Sequence, residues 1–172
     1  MLTETFIHQF VIAVFAAILI AAAVGDFRSF RIPNSLVLSV LMLYPAHVIA
    51  SPQSVAWAYA LIFAFVIFAI GAGFFAMKMM GGGDVKLMAA VSLWAAPHHL
   101  VSFFVITLFA AMLVACVMAV RMAAADAQAA RGWSVGAAVS GIRHVPIFKI
   151  SVPYGVGISA GGLYVAWRIL VG

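Results

Sequence analysis

Six apolar runs with almost no charge inside them constrain the fold of this chain more than any other feature. A transmembrane helix needs about 17–25 apolar residues, and the 67% hydrophobic and 8% charged content is far outside the range of soluble proteins. The pattern predicts an all-α polytopic membrane protein with about six transmembrane helices, forming a single integral-membrane domain over residues 1–172. No basic segment precedes the first run, so we interpret it as a retained span rather than a signal peptide. The runs are Phe6–Val24, Leu36–Ala50, Val55–Met77, Val85–Ala96, Leu100–Val120 and Pro153–Val171.

The fourth run is the shortest of the six. Val85–Ala96 has twelve residues, which rise only about 18 Å as a helix against a hydrocarbon core of about 30 Å. This run is therefore predicted to extend past Pro97, to tilt in a thinned region, or to be re-entrant.

Lys and Arg are concentrated in three of the connections between the runs, and this bias predicts the orientation. The second and fourth connections, His47–Ser54 and Pro97–His99, contain neither residue type. Because cytoplasmic connections carry the excess of basic residues, both termini are predicted to lie outside. Arg168, near the outer end of the last run, is the one exception. The residues that give the bias are Arg28, Arg31, Lys78, Lys86, Arg121, Arg131, Arg143 and Lys149.

Two of the four acidic residues lie at the edges of apolar runs. Asp26 follows the first run and Asp84 precedes the fourth, so the predicted topology brings both to the cytoplasmic face. Two carboxylates in a poorly hydrated cleft share a proton, because both cannot ionise at low cost. The ionised member can accept a proton from water while the protonated member polarises a carbonyl. The pair therefore indicates the acid/base chemistry of aspartic peptidases, with no metal or cofactor.

Three glycines, Gly81, Gly82 and Gly83, stand directly before Asp84. Glycine can adopt positive φ and allows close approach of another chain, so exposed backbone donors here can pair with an extended peptide. Alternatively, the glycines are only a turn, and Asp84 is the N-cap of the fourth helix.

Three motifs together resemble the type IV prepilin peptidase family, the GxGD-type intramembrane aspartyl peptidases. They are Asp26 with Ile32-Pro33-Asn34, then Gly81-Gly82-Gly83-Asp84-Val85-Lys86-Leu87, then Pro153-Tyr154-Gly155. Within that family the chain is most similar to the short, peptidase-only members of tight-adherence (Flp-type) pilus assembly.

This resemblance implies that Asp26 and Asp84 are the catalytic residues. It also implies an enzyme of the bacterial inner membrane that removes the short basic leader of prepilins at the cytoplasmic face. The partners would be a prepilin with a hydrophobic N-terminal helix and the lipid bilayer. The other motif positions, expected near the substrate, are Gly81, Gly82, Gly83, Lys86, Pro33, Asn34, Pro153, Tyr154 and Gly155.

Larger family members carry a cysteine quartet and also methylate the new N-terminus. This chain has one cysteine, Cys116, and no glycine-rich nucleotide fingerprint, so we predict cleavage without N-methylation and without a cofactor. The net charge of +5 follows from the topology bias, and we infer no nucleic-acid partner from it.

A proton- or ion-coupled transporter that uses the same two aspartates is the alternative function. The sequence offers this alternative neither an aspartate at mid-membrane depth nor inverted halves. It also leaves the motif resemblance unexplained.

Several residues receive structural interpretations. Asn34 or Ser35 is expected to cap the second helix after Pro33, and Lys86 to anchor the cytoplasmic side. The pattern Gly157–Gly161 is typical of close helix packing.

The histidines are expected to be interfacial rather than metal ligands, and Cys116 is expected to pack against neighbouring side chains. Aromatic-belt positions are predicted for Trp57, Trp94 and Trp167, and an amphipathic surface helix in the connection Met122–Ser151.

Overall fold

A computed structural model describes residues 2–131 and 153–171 of the chain. In these ranges the chain forms six α-helices and no β-strand, which confirms the all-α class. The sixth helix follows a connection, 132–152, that lies outside the described residues together with most of the predicted surface segment. The helices are α1 Leu2–Ser29, α2 Asn34–Ala50, α3 Trp57–Ala76, α4 Gly82–Ala95, α5 Leu100–Arg131 and α6 Tyr154–Val171.

Four of these helices are long and apolar enough to cross a membrane. They are α1, α3, α5 and α6, and α2 adds a shorter apolar helix of 17 residues. Large apolar side chains cover the outside of α3 and α5, including Phe65 and Leu108. A continuous apolar exterior of this extent is suited to lipid rather than water. The chain is therefore a polytopic membrane protein.

The fourth helix is short and lies inside the bundle. Its 14 residues rise about 21 Å, and α2, α3, α5 and α6 all pack against it. The helix ends at Ala95, so the predicted extension past Pro97 is wrong. Nine of its residues are buried, because longer helices separate it from the surroundings.

The glycine pattern of α6 serves packing against α5. A Cβ added to Gly157 would lie 2.8 Å from the carbonyl oxygen of Thr107, and one added to Gly161 would lie 2.8 Å from that of Phe103. The backbones of the two helices therefore approach closely only because these positions lack side chains. This confirms the packing interpretation, within one chain.

Aromatic and histidine side chains form a buried cluster between α1, α2 and α4. The ring of Trp94 stacks on Phe15, with centroids 4.0 Å apart, and on His47, at 4.8 Å. His8 contacts His47 in turn. The side chains of Trp94, His8 and His47 are all buried in the protein, so the aromatic-belt prediction is wrong for Trp94.

The other two tryptophans and the cysteine lie on the exterior. Trp57 and Trp167 are more than half exposed, as aromatic-belt residues are. Cys116 is also exposed, so it does not pack in the core as expected.

Candidate active site

Asp26 lies on a helix rather than in a connection. α1 continues past the predicted end at Val24 to Ser29, and Asp26 is 4% exposed. The backbone N–H of Phe30 donates to the carbonyl oxygen of Asp26 at 2.8 Å. Phe30 itself has a left-handed conformation, with φ of 51°, which ends α1 and turns the chain back toward the carboxylate.

Ile32 fills the space beside this turn. A Cβ at Gly83 would lie 3.3 Å from the Cβ of Ile32, and a Cβ at Gly155 would lie 2.7 Å from its Cδ1. The side chain is therefore a buried wedge between the start of α4 and the start of α6. Sequence reasoning missed this role. The only signal for it was the place of Ile32 before Pro33, which favours an extended backbone.

Pro33 and Asn34 start α2 in a different way from the prediction. Pro33 is the N-cap residue, and no side chain caps the helix, so capping by Asn34 or Ser35 is wrong. Asn34 instead accepts a hydrogen bond from Nζ of Lys86 through its Oδ1, at 3.2 Å. This bond joins the start of α2 to the beginning of α4. It also directs the exposed Lys86 side chain to Asn34.

Asp84 lies in the first turn of α4. The N-cap is Gly81, so the alternative that Asp84 caps the helix is wrong. The carboxylate instead reaches back toward the N–H of Gly81, as the acidic side chain of a capping box does.

The three glycines before Asp84 do not adopt positive φ, and no described glycine does. Their lack of a side chain provides space instead. A Cβ at Gly81 would lie 2.7 Å from Oδ2 of Asp84, and one at Gly82 would lie 3.2 Å from Cε2 of Phe75. The expectation of positive φ is therefore wrong, and the close contacts at these glycines are with side chains of the same chain.

Both carboxylates meet at Gly155, in the first turn of α6. The N–H of Gly155 approaches Asp26 and Asp84, and the N–H of Val156 also approaches Asp26. The free amides at the start of a helix favour nearby negative charge. A Cβ on Gly155 would lie 2.8 Å from Oδ2 of Asp26, so only glycine fits here.

The neighbours of Gly155 have different surroundings. Pro153 is fully buried, whereas Tyr154 is partly exposed. In the described part of the chain, no hydrogen bond joins the Tyr154 hydroxyl to either aspartate. The structure therefore brings Gly155 to the carboxylates and leaves Tyr154 outside the group.

The electrostatics of the pair follow from burial. Asp84 lies outside the four candidate spans, and burial, together with the nearby Asp26 carboxylate, raises the pKa of Asp84 to about 7. Oδ2 of Asp26 and Oδ1 of Asp84 are buried without a protein hydrogen-bond partner among the described residues. Buried polar atoms are nearly always hydrogen-bonded. These two oxygens are thus available to a water molecule and to a polar group of a substrate.

The polar groups of the site are the two carboxylates and the backbone amides next to them. Across residues 2–131 and 153–171, no group of three His, Cys, Asp or Glu side chains is arranged to hold a metal ion. The carboxyl groups of Asp26 and Asp84 lie next to each other and can hold one proton between them near neutral pH.

The chain matches a known protein family. The model of the type IV leader peptidase family matches residues 13–120, more than half of the chain, and this range includes both Asp26 and Asp84. No curated protein and no solved structure matches the chain.

Proposed function

Since the chain belongs to the type IV leader peptidase family, we propose that it is an aspartic endopeptidase in which Asp26 and Asp84 are the catalytic pair. The substrate is a prepilin of the Flp type, and the cut removes its short basic leader at the cytoplasmic membrane face. The new N-terminus is not methylated.

The observation that supports this proposal best is the convergence of the two aspartates on one backbone amide. Asp26 and Asp84 come from different helices, and the N–H of Gly155 approaches both carboxylates. A purely structural pair of carboxylates would be unfavourable, because like charges in a buried site repel. A catalytic role explains why both carboxylates are present at one buried site.

The pair can hydrolyse a peptide bond without any other group. The ionised carboxylate accepts a proton from water, whose oxygen attacks the carbonyl carbon, while the protonated carboxyl donates its proton to the carbonyl oxygen. The carboxyl that took the proton from water then donates it to the amide nitrogen. The C–N bond breaks as one hydroxyl of the tetrahedral intermediate returns its proton to the other carboxylate, which releases an amine and a carboxylic acid. The two carboxyl groups end with one proton between them, as they began.

Three features support the proposed substrate, the membrane face and the absence of methylation. The motifs resemble those of the short, peptidase-only members of tight-adherence pilus assembly. Arg28 in the last turn of α1, and Arg31 and Lys78 in the connections, lie at the same end of the bundle as the aspartates, which favours the cytoplasm for that end. The single cysteine offers no quartet of the type found in the methylating members.

Co-expression of the chain with a Flp-type prepilin, in a host without other prepilin peptidases, tests the proposal. Leader removal is followed by gel shift and by the mass of the new N-terminus. We expect cleavage by the wild type, and its loss in Asp26→Asn and in Asp84→Asn, because each substitution removes an ionisable carboxyl without changing the shape of the side chain. The expected mass is that of an unmethylated N-terminus.

Asp126→Asn is the matched control, because it makes the same chemical change at the remaining aspartate, in α5. It should cleave as the wild type does. Membrane insertion of all variants is compared by their amount in the membrane fraction. Cleavage by a correctly inserted Asp26→Asn or Asp84→Asn protein would remove that residue from the mechanism, and failure to cut several Flp-type prepilins would contradict the proposed substrate.

A further inference from the structure

A cavity of about 500 Å³ opens at the end of the bundle that is opposite to the aspartates. His8, near the start of α1, lines it, whereas Asp26 lies near the end of the same helix. Residues at the C-terminal ends of α2, α4 and α6 also line it, including His47, Trp94 and Arg168. The peptidase chemistry uses none of these residues.

The side chains around this cavity are basic or uncharged. Arg168 and four of the five histidines of the chain line it, with hydroxyl and amide groups between them, and no described lining residue is acidic. Arg168 is also the basic residue that departs from the charge bias of the other connections. The histidines are His8, His47, His98 and His99, and the polar residues are Gln9, Ser51, Gln53 and Ser54.

The inner wall of the cavity is rigid. Nε2 of His8 and Nδ1 of His47 share a hydrogen bond of 3.2 Å, and this bond occupies one nitrogen of each ring. The His47 ring stacks on Trp94, whose indole N–H donates to the carbonyl oxygen of Val40 at 3.4 Å. Packing and hydrogen bonds therefore fix two imidazole rings at the wall, each with a second nitrogen for another partner.

The charged group of the outer wall is the guanidinium of Arg168, which lies near His99. Burial, and then the neighbouring charges of Arg168 and His98, lower the pKa of His99. With this lowered pKa, His99 is neutral near pH 7 and offers one ring N–H as a hydrogen-bond donor. A bound anion would supply the counter-charge that Arg168 lacks among the described lining residues. The wall thus has the electrostatic character of an anion site.

We propose that this cavity binds a phosphate-bearing anion, with Arg168 as the principal charged contact and His99 and the hydroxyl and amide groups as further donors. Guanidinium groups bind phosphate through paired hydrogen bonds, and a cavity of this size accommodates a phosphoglycerol group.

The position of the cavity favours an anionic phospholipid as the source of that phosphate. Its lining includes residues at the ends of α1 and α6, two of the candidate spans, and headgroups lie at the ends of spans. Leu170 lines the cavity and is about half exposed, and the exposed Trp167 is adjacent to Arg168. An apolar exterior thus borders the polar cavity, as a lipid with its tails outside and its headgroup inside requires.

Native mass spectrometry of the delipidated full chain in detergent tests the proposal. One arm titrates phosphatidylglycerol against phosphatidylcholine, and a second arm titrates inorganic phosphate and glycerol phosphate. The variants are Arg168→Gln, Arg168→Lys and, as a matched control, Arg121→Gln, which removes an exposed arginine at the other end of the bundle. Because binding is measured without any prepilin, the result does not depend on peptidase activity.

We expect phosphatidylglycerol to bind more tightly than phosphatidylcholine. Arg168→Gln should weaken its binding roughly tenfold, as the loss of one charge-assisted contact does, while Arg168→Lys retains most of the affinity and Arg121→Gln all of it. Binding of the soluble phosphates with the same dependence on Arg168, but no preference among lipids, would support the site and assign it to a soluble anion. Equal effects of Arg168→Gln and Arg121→Gln, or no binding in either arm, would overturn the proposal.

Discussion

A single methyl group at Gly155 provides a sharp test of the geometry around the two aspartates. In Gly155→Ala the new Cβ would lie 2.7 Å from Cδ1 of Ile32, 2.8 Å from Oδ2 of Asp26 and 2.9 Å from its Cγ. The carboxylate would have to move from 2.8 Å to at least 3.4 Å, where ordinary contact begins, a displacement of about 0.6 Å.

This displacement acts directly on the reacting groups. A misplacement of about 1 Å costs on the order of 10²-fold in rate, so we expect Gly155→Ala to cleave prepilin roughly tenfold to a hundredfold more slowly than the wild type. The overpacking itself should cost about 1–3 kcal/mol of stability. The protein should therefore still fold.

Two alanine controls separate the catalytic effect from the stability effect. A Cβ at Gly73 meets nothing within 4 Å, whereas a Cβ at Gly161 would lie 2.8 Å from the carbonyl oxygen of Phe103, away from the aspartates. Gly73→Ala should match the wild type in rate and in melting temperature. Gly161→Ala should lower the melting temperature without a comparable loss of rate per folded molecule.

The assay is single-turnover cleavage of a purified prepilin in detergent, with the thermal transition of each variant measured in the same detergent. The geometric reasoning would be refuted by a folded Gly155→Ala protein that cleaves within about twofold of the wild-type rate. An equal loss of rate in Gly161→Ala would refute it as well, since the effect would then follow from packing alone.

Two further predictions concern protonation and the core. Since the pKa of Asp84 is raised to about 7 and the pair needs one proton, kcat/KM should fall as pH rises through about 7. A rate profile at constant folded fraction measures this, and a rate that is unchanged up to pH 9 would contradict the assignment of a shared proton. Trp94→Ala removes the buried ring that stacks on Phe15 and His47 and should cost about 3–5 kcal/mol of stability. Trp57→Ala, at a half-exposed ring, should leave the denaturant midpoint nearly unchanged, and equal midpoints for the two variants would be inconsistent with the buried cluster.

The helices could be predicted from the sequence because polar residues interrupt the apolar runs at nearly every helix end. Five of the six predicted runs begin within three residues of the observed helix start, and α1 begins four residues earlier than predicted. α1 and α5 end later than the apolar runs predict, because Asp26 and Arg121 interrupt the runs without ending the helices. A helix that reaches the membrane edge can continue with polar residues, so charge marks the edge of the membrane and not the end of the helix.

The inner and outer faces of each helix could not be predicted. A membrane helix is apolar on all sides, so its hydrophobic pattern does not distinguish the protein core from the lipid. Trp94 and Trp57 are both flanked by alanine or leucine in the sequence, yet the first is buried and the second is half exposed. The contact of His8 with His47 joins residues 39 positions apart. The sequence around each histidine does not indicate that the two side chains meet.

The glycines of the two motifs illustrate what a motif encodes in this fold. Each of Gly81, Gly83 and Gly155 has ordinary backbone angles, and each lies where an added Cβ would meet Asp84, Ile32 or Asp26. The shared property is therefore absent volume rather than flexibility, and it allows the starts of two helices to approach the carboxylates closely. An alanine scan should then rank these positions by the distance to the nearest atom, with Gly155 and Gly81 more sensitive than Gly83. If backbone flexibility were the important property, the three positions would be equally sensitive to alanine.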